Sequence, residues 1–147
     1  MSPAAPERPR RPRVYVDTSA YLCMLLGEDG AERLSEETGG AERLSSVLLV
    51  LETRRNLVRL AREGALTAGQ YKACLDRMGQ DKELFRLRDF TLDLCESALM
   101  PAIATPRSLD LAHLRTALWF HAQAPLTRFV TMDAAQEQAA EELGLPV

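Results

Sequence analysis

Asp17, Glu52, Asp110 and Asp133 are acids at isolated positions where fold logic alone would place something apolar or neutral. Asp17 ends the run Val14-Tyr-Val16, and Asp133 follows Phe129-Val-Thr-Met132. Both therefore stand where an open parallel sheet exposes the carboxyl ends of its strands. Glu52 interrupts the apolar stretch that ends at Leu51 inside a predicted helix, and Asp110 falls near the start of another. Carboxylates gathered in one crevice repel each other, and a divalent cation relieves that repulsion. Hard oxygen donors select Mg²⁺ or Mn²⁺. Such an ion polarises a phosphoryl oxygen and lowers the pKa of a bound water, so the chemistry expected is hydrolysis of a phosphodiester.

Each acid also has a plainer use. Asp17 and Asp133 suit capping of the helix that follows, by accepting its first N–H groups. Glu52 shares a helix side with Leu48, Arg55 and Asn56, which suits an intrahelical pair with Arg55 or a solvated face. Asp110, two residues after Ser108, suits the positive end of its helix. All of these roles still put carboxylates near the same edge of one sheet, and clustering is the sharper expectation.

The elements that must position them follow from periodicity and punctuation. Order is expected to begin at Arg13, with the strand Val14–Val16 leading into Asp17 and Thr18-Ser19 offering hydroxyl caps for a helix to about Leu26. After a break at Gly27–Gly30, a helix over Ala31–Thr38 is ended by Gly39-Gly40. The pentapeptide Ala-Glu-Arg-Leu-Ser occurs at 31–35 and again at 41–45. The second copy is read as a short strand, because tertiary context overrides so weak a local preference. Ser45 or Ser46 is expected to cap a helix to about Glu63, stopped by Gly64, and Thr67 to open another to about Met78. Beyond these, Leu84–Leu87 reads as a strand, Asp89–Met100 as a helix, Pro101–Arg107 as a loop and 109–122 as a helix capped by Ser108. Phe129–Met132 reads as a strand, Ala134–Leu143 as a helix and Leu145–Val147 as a last short strand. Strands alternating with helices predict the α/β class, a parallel sandwich with right-handed connections.

Bulk properties narrow the function. A chain of 147 residues fits one domain with a substantial core. Only 5% of it is aromatic, so bases would find few stacking platforms and a nucleic acid would be held mainly by its phosphates. The net charge of −3 argues against a broad non-specific DNA-binding surface and leaves room for a local basic rim. Residues 1–12, rich in proline and arginine, are expected to form a flexible basic tail, with contact to nucleic acid as its other reading. Cys23, Cys74 and Cys95 are odd in number and lack C-x-x-C spacing, which points away from a disulfide framework or zinc site and toward a reducing cytoplasm. No apolar run approaches a bilayer span and no secretory core follows the basic N-terminus, so a soluble, non-exported protein without membrane contact is expected.

The segments Val14-Tyr-Val-Asp-Thr-Ser-Ala-Tyr-Leu22, Ser45-Ser-Val-Leu-Leu-Val-Leu-Glu-Thr-Arg-Arg55, Ser108-Leu-Asp-Leu-Ala-His-Leu-Arg-Thr-Ala-Leu118 and Phe129-Val-Thr-Met-Asp133 complete the picture. In order and spacing the set resembles the successive motifs of PIN-domain ribonucleases, most closely the VapC-type toxins of bacterial toxin–antitoxin pairs. The likeness runs from about Arg13 to Val147. It implies a PIN-like three-layer α/β/α sandwich with a central, mostly parallel sheet, and residues 13–147 as one nuclease domain. It further implies an endoribonuclease dependent on Mg²⁺ or Mn²⁺, whose acids match Asp17, Glu52, Asp110 and Asp133, with Ser19 and Thr131 as polar companions. Asp17 and Asp110 match the most direct metal ligands, while Glu52 and Asp133 bind metal or orient its waters. Products with 5′-phosphate and 3′-hydroxyl ends fit attack by metal-activated water and explain how catalysis proceeds without a histidine. His113 matches a histidine common in that helix and is read as a hydrogen-bonded packing residue. The implied partners are RNA, a small VapB-like antitoxin whose helix lies in a groove over the active site, and a second copy of the chain, with DNA reached only through the antitoxin.

Two other classes compete. A catalytically weak protein of the same fold would serve with an antitoxin in transcriptional repression. An aspartyl-phosphate enzyme would use Asp17 as nucleophile. Haloacid-dehalogenase-like phosphatases carry a second Asp two positions on, where this chain has Ser19, and receiver-like domains need a late-strand lysine, whereas Lys72 and Lys82 fall elsewhere.

Overall fold

Arg13–Val16 forms β1, and its side chains are buried on both faces: Val14 and Val16 join one layer of the core and Tyr15 the other. The computed structural model describes residues 10–96, 103 and 107–147. Strands β2 (Glu42–Ser46), β3 (Phe85–Arg88) and β4 (Arg128–Val130) complete a sheet of order β3-β2-β1-β4 in which every pairing is parallel. Tyr15 is in register with Leu44 and Phe129, and its ring stacks on Phe129 with centroids 5.4 Å apart.

On one face lie α1 (Thr18–Leu26), α2 (Ala31–Thr38), α3 (Leu48–Arg62) and α4 (Ala68–Asp81). They set Tyr21, Leu34, Leu49, Leu57 and Met78 around Val14, Val16 and Val130. On the other face α6 (Ser108–Gln123) and α7 (Ala134–Glu142) press Leu114, Ala117, Phe120 and Ala140 against Tyr15, Leu44 and Phe129. The short α5 (Leu92–Glu96) packs on α6. This is the expected three-layer sandwich, and all four strands prove parallel. The chain moves outward from β1 to β2 and β3, then returns to β4 on the other side of β1. That reversal opens a crevice above the carboxyl ends of β1 and β4.

Several boundaries differ from the sequence reading, each for a local reason. Ser45 and Ser46 end β2 instead of opening a helix, because Ser45 is buried and donates to the Val16 carbonyl at 2.6 Å. Val47 stands at the N-cap of α3, while Ser46 Oγ still accepts the Leu48 N–H at 3.2 Å. Helix α4 runs on to Asp81, and a 3-10 turn over Lys82–Leu84 then delays β3 to Phe85. The helix expected from Asp89 begins at Leu92, with the Thr91 carbonyl accepting the Leu94 and Cys95 N–H groups; the expected end at Met100 lies outside the described residues. β4 stops at Val130, because the Thr131 hydroxyl accepts the Asp133 N–H at 3.1 Å and turns the chain. Leu145–Val147 is not a strand: Phe129 N–H donates to the Pro146 carbonyl, but proline has no N–H with which to continue a ladder. Residues 1–9 of the expected tail lie outside the described residues. Before Arg13, the Arg11 guanidinium donates to the carbonyls of Gly40 and Ala41, and the Pro12 carbonyl accepts the Glu42 N–H at 2.8 Å. Among the described residues no helix is long and apolar enough to cross a membrane.

Candidate active site

Asp17 follows β1 directly, and its N–H still bonds the Val130 carbonyl across to β4 at 3.1 Å. Asp17 is 4% exposed; its Oδ1 accepts the Ala20 N–H at 3.1 Å, capping α1, and the Ser19 hydroxyl at 2.7 Å. Ser19 Oγ lies 3.1 Å from Thr131 Oγ1 and accepts the Met132 N–H at 2.9 Å. The two expected polar companions thus stitch together the ends of β1 and β4. Asp133 caps α7 in the same manner, with Oδ1 accepting the N–H groups of Ala135 and Gln136 at 2.9 and 3.3 Å. Capping and cleft-lining therefore coexist: a carboxylate has about four acceptor positions, and capping uses a part of them.

Glu52 does not pair with Arg55. Its Oε1 accepts the Thr18 hydroxyl at 2.9 Å and lies 2.8 Å from His113 Nε2. A carboxylate can only accept, so Nε2 bears the proton, and in the neutral ring Nδ1 then accepts from the Tyr15 hydroxyl 2.7 Å away. Burial raises the Tyr15 phenol well above its usual pKa, which keeps its proton in place as a donor. His113, 2% exposed, is the hydrogen-bonded packing residue expected, and what it holds is Glu52. Thr18 was expected as a cap; Asp17 takes that role, and the Thr18 hydroxyl is given to Glu52.

Asp110 projects from the first turn of α6. It shares with Asp17, Glu52 and Asp133 a cleft of about 180 Å³, whose wall also contains Thr18, Ser19, Asn56, Arg107 and His113. Thr131 is absent from that wall but lies behind it, beside Ser19 Oγ and within hydrogen-bonding influence of the Asp17 carboxyl. Burial pushes the Asp17 carboxyl above its usual range, against the opposing pull of the Thr131 hydroxyl, His113 and Ser19. Asp110 is also pushed up, first by desolvation, then by the charges of Asp133 and Glu52, with Arg107 opposing. Burial is the first cause of both shifts, and only at Asp110 do neighbouring carboxylates, Asp133 and Glu52, add like-charge repulsion to it.

Among the described residues no three His, Cys, Asp or Glu side chains close on a single point as a finished metal cage. Mg²⁺ does not require one: it commonly takes one or two carboxylates and keeps several waters. The donor chemistry fits a hard cation, since the cleft is rich in carboxylate oxygen and its histidine nitrogens are engaged by Glu52 and Tyr15. Asp17 and Asp110, both raised chiefly by burial, would each be favoured in their charged form by such an ion.

Sequence reasoning missed Arg107 in the cleft wall and Gln136 behind it, and it placed Asn56 beside Glu52 without assigning it to the cleft. Asn56 was legible as the residue one turn beyond Glu52; its Nδ2 donates to the Glu52 carbonyl at 2.9 Å. Arg107 gave no signal, because its place depends on where α6 begins.

No family model matches the chain. It is 30% identical over 139 residues to Ribonuclease VapC35 of Mycobacterium tuberculosis strain CDC 1551 / Oshkosh, and equally to that of strain ATCC 25618 / H37Rv. Each alignment covers 91% of this chain and 94% of the relative. An all-parallel α/β/α sandwich, four acids lining one cleft at its switch point and this similarity over nearly the whole length converge: the chain belongs to the VapC-type family of PIN-domain ribonucleases.

Proposed function

We propose that this protein is an endoribonuclease dependent on Mg²⁺ or Mn²⁺ and the toxin of a toxin–antitoxin pair. The observation that carries the reading is the shared cleft of Asp17, Glu52, Asp110 and Asp133. Bound between Asp17 and Asp110, with Glu52 and Asp133 taking the metal or its waters, the cation would supply Lewis-acid polarisation of an RNA phosphate and a water of lowered pKa. The chain's own part is preorganisation. Ser19 and the Ala20 N–H fix the Asp17 carboxylate, and Thr18 and His113 fix that of Glu52. The His113 ring is engaged at both nitrogens, so it orients an acid instead of shuttling a proton. Arg107 adds a guanidinium to the cleft wall, suited to a phosphate oxygen of the substrate.

Attack by water with the 3′-oxygen as leaving group would leave 5′-phosphate and 3′-hydroxyl ends. The partners proposed are a VapB-like antitoxin, through which alone DNA is contacted, and a second copy of the chain, in the cytoplasm. Support for the RNA substrate and the toxin role comes from the relatives, which are named ribonucleases of the VapC type. The test is to incubate purified protein with structured RNA and Mg²⁺, with and without EDTA, and to determine the product ends. Cleavage abolished by EDTA, with 3′-hydroxyl ends, is expected. Metal-independent cleavage leaving 2′,3′-cyclic phosphates would overturn the reading.

A further inference from the structure

Helix α7 opens with Asp133 as N-cap and Gln136 three residues on, a pattern that ordinarily closes a capping box, the glutamine side chain reaching back to the N-cap N–H. Helix α4 does this: Thr67 Oγ1 accepts the Gln70 N–H at 3.1 Å and Gln70 Oε1 accepts the Thr67 N–H at 2.9 Å. In α7 the Asp133 N–H is already taken by Thr131 Oγ1, and the Gln136 amide turns away from its own helix. Its Nε2 donates to the Asp110 carbonyl at 2.9 Å, while its main-chain N–H donates to Asp133 Oδ1. One residue thus grips both acid-bearing segments, one by side chain and the other by backbone.

Gln136 is 2% exposed, and its Oε1 is buried with no hydrogen-bond partner among the described residues. The opposite amide orientation would set Oε1 against the Asp110 carbonyl oxygen, so the donor assignment follows from chemistry. An unmet buried acceptor is costly, and an apolar side chain would fill the same space without that cost. The donor half is therefore the informative part of this residue. We infer that Gln136 is a positioning residue that clamps the first turn of α6 to that of α7, holding the Asp110 and Asp133 carboxylates at a spacing set to receive one cation. The inference rests on the metal-dependent reading of the cleft. It deepens that reading by naming a side chain outside the cleft wall that sets its geometry.

Gln136→Met keeps length and removes the donor, and Gln70→Met breaks the capping box of α4 as a control. Mn²⁺ affinity is measured by calorimetry and, separately, as the Mn²⁺ concentration for half-maximal RNA cleavage. Gln136→Met is expected to weaken both by on the order of 10-fold, as loss of an outer partner of a metal ligand does, with cleavage recovering at saturating Mn²⁺. Gln70→Met is expected to leave both unchanged. If Gln136→Met fails to fold, Gln136→Leu, smaller and equally without a donor, is expected to show the same weakening. Wild-type Mn²⁺ affinity in the Gln136 variants, or equal weakening in Gln70→Met, overturns the inference. A wild-type protein that binds Mn²⁺ without cleaving RNA overturns the nuclease reading alone, and calorimetry still decides for Gln136. One that binds no Mn²⁺ overturns both.

Discussion

Helix α4 begins Thr67-Ala-Gly-Gln70 and helix α7 begins Asp133-Ala-Ala-Gln136, so each places an oxygen-bearing cap three residues ahead of a glutamine. At α4 the pattern closes on itself in an exposed capping box, and neither side chain of the box reaches the cleft. At α7 the cap is a carboxylate lining the cleft and the glutamine is buried against the neighbouring helix. What separates the two ends is Thr131, whose hydroxyl satisfies the N-cap N–H and so releases Gln136. Local sequence specifies that a helix starts, and the neighbours decide whether its capping groups remain private to it. The α7 end keeps its cap and adds a charge at the sheet's switch point, an arrangement that stabilises a helix and costs repulsion in the cleft at once.

Four substitutions test how far the two ends differ. The largest effect is expected beside the α7 end, at Asp17→Asn, which preserves the cap of α1 but removes a proposed metal ligand. Loss of several kcal/mol of transition-state stabilisation corresponds to about 10²–10³-fold in RNA cleavage rate, read by single-turnover kinetics. Asp133→Asn is next: Asn caps as well as Asp, so helix stability in EDTA should hold while cleavage falls by about 10–100-fold. Equal loss of stability and cleavage would mean that Asp133 is a cap alone. At the other end, Thr67→Ala should cost about 1 kcal/mol in urea denaturation with unchanged cleavage. A drop in cleavage at constant temperature and full folding would erase the contrast.

The smallest effect concerns the cost of the cleft itself. Asp17 and Asp110 both have folded-state pKa values raised above their unfolded ones, by burial first and, for Asp110, by Asp133 and Glu52 next. The folded protein then binds more protons than the unfolded chain, so this contribution to stability is present at low pH and is lost as pH rises through the raised values. Without metal, Asp110→Asn should stabilise the protein at neutral pH by a few tenths of a kcal/mol, a figure kept small because the group is largely solvent-screened. The gain should shrink as pH falls into the carboxylate range. Urea titrations in EDTA at neutral and acid pH read it, and a destabilised Asp110→Asn would show that the cleft is not short of positive charge.

The acids were legible in the sequence because each sits at a point that local pattern locates: after a buried strand for Asp17 and Asp133, inside an apolar helical run for Glu52, after a helix-opening serine for Asp110. The partners that aim them were not. His113 reaches Glu52 across 61 positions and Gln136 reaches Asp110 across 26, and no local periodicity encodes such pairs. The same limit explains Ser45 and Ser46. As free-standing hydroxyls they resemble caps, but the Val16 carbonyl beside them claims Ser45 and extends β2 to the edge of the cleft. Leu145–Val147 looked like a strand by composition; its leucine is buried in the core while Pro146 limits it to accepting the Phe129 N–H.

The proposed binding of a cation by Asp17, Glu52, Asp110 and Asp133 is tested most directly by anomalous diffraction from crystals of the wild-type protein soaked in Mn²⁺. A peak in the cleft between Asp17 and Asp110, absent from Asp17→Asn crystals soaked alike, is the result expected. Mn²⁺ found elsewhere on the protein, with no peak among the four carboxylates, would contradict it.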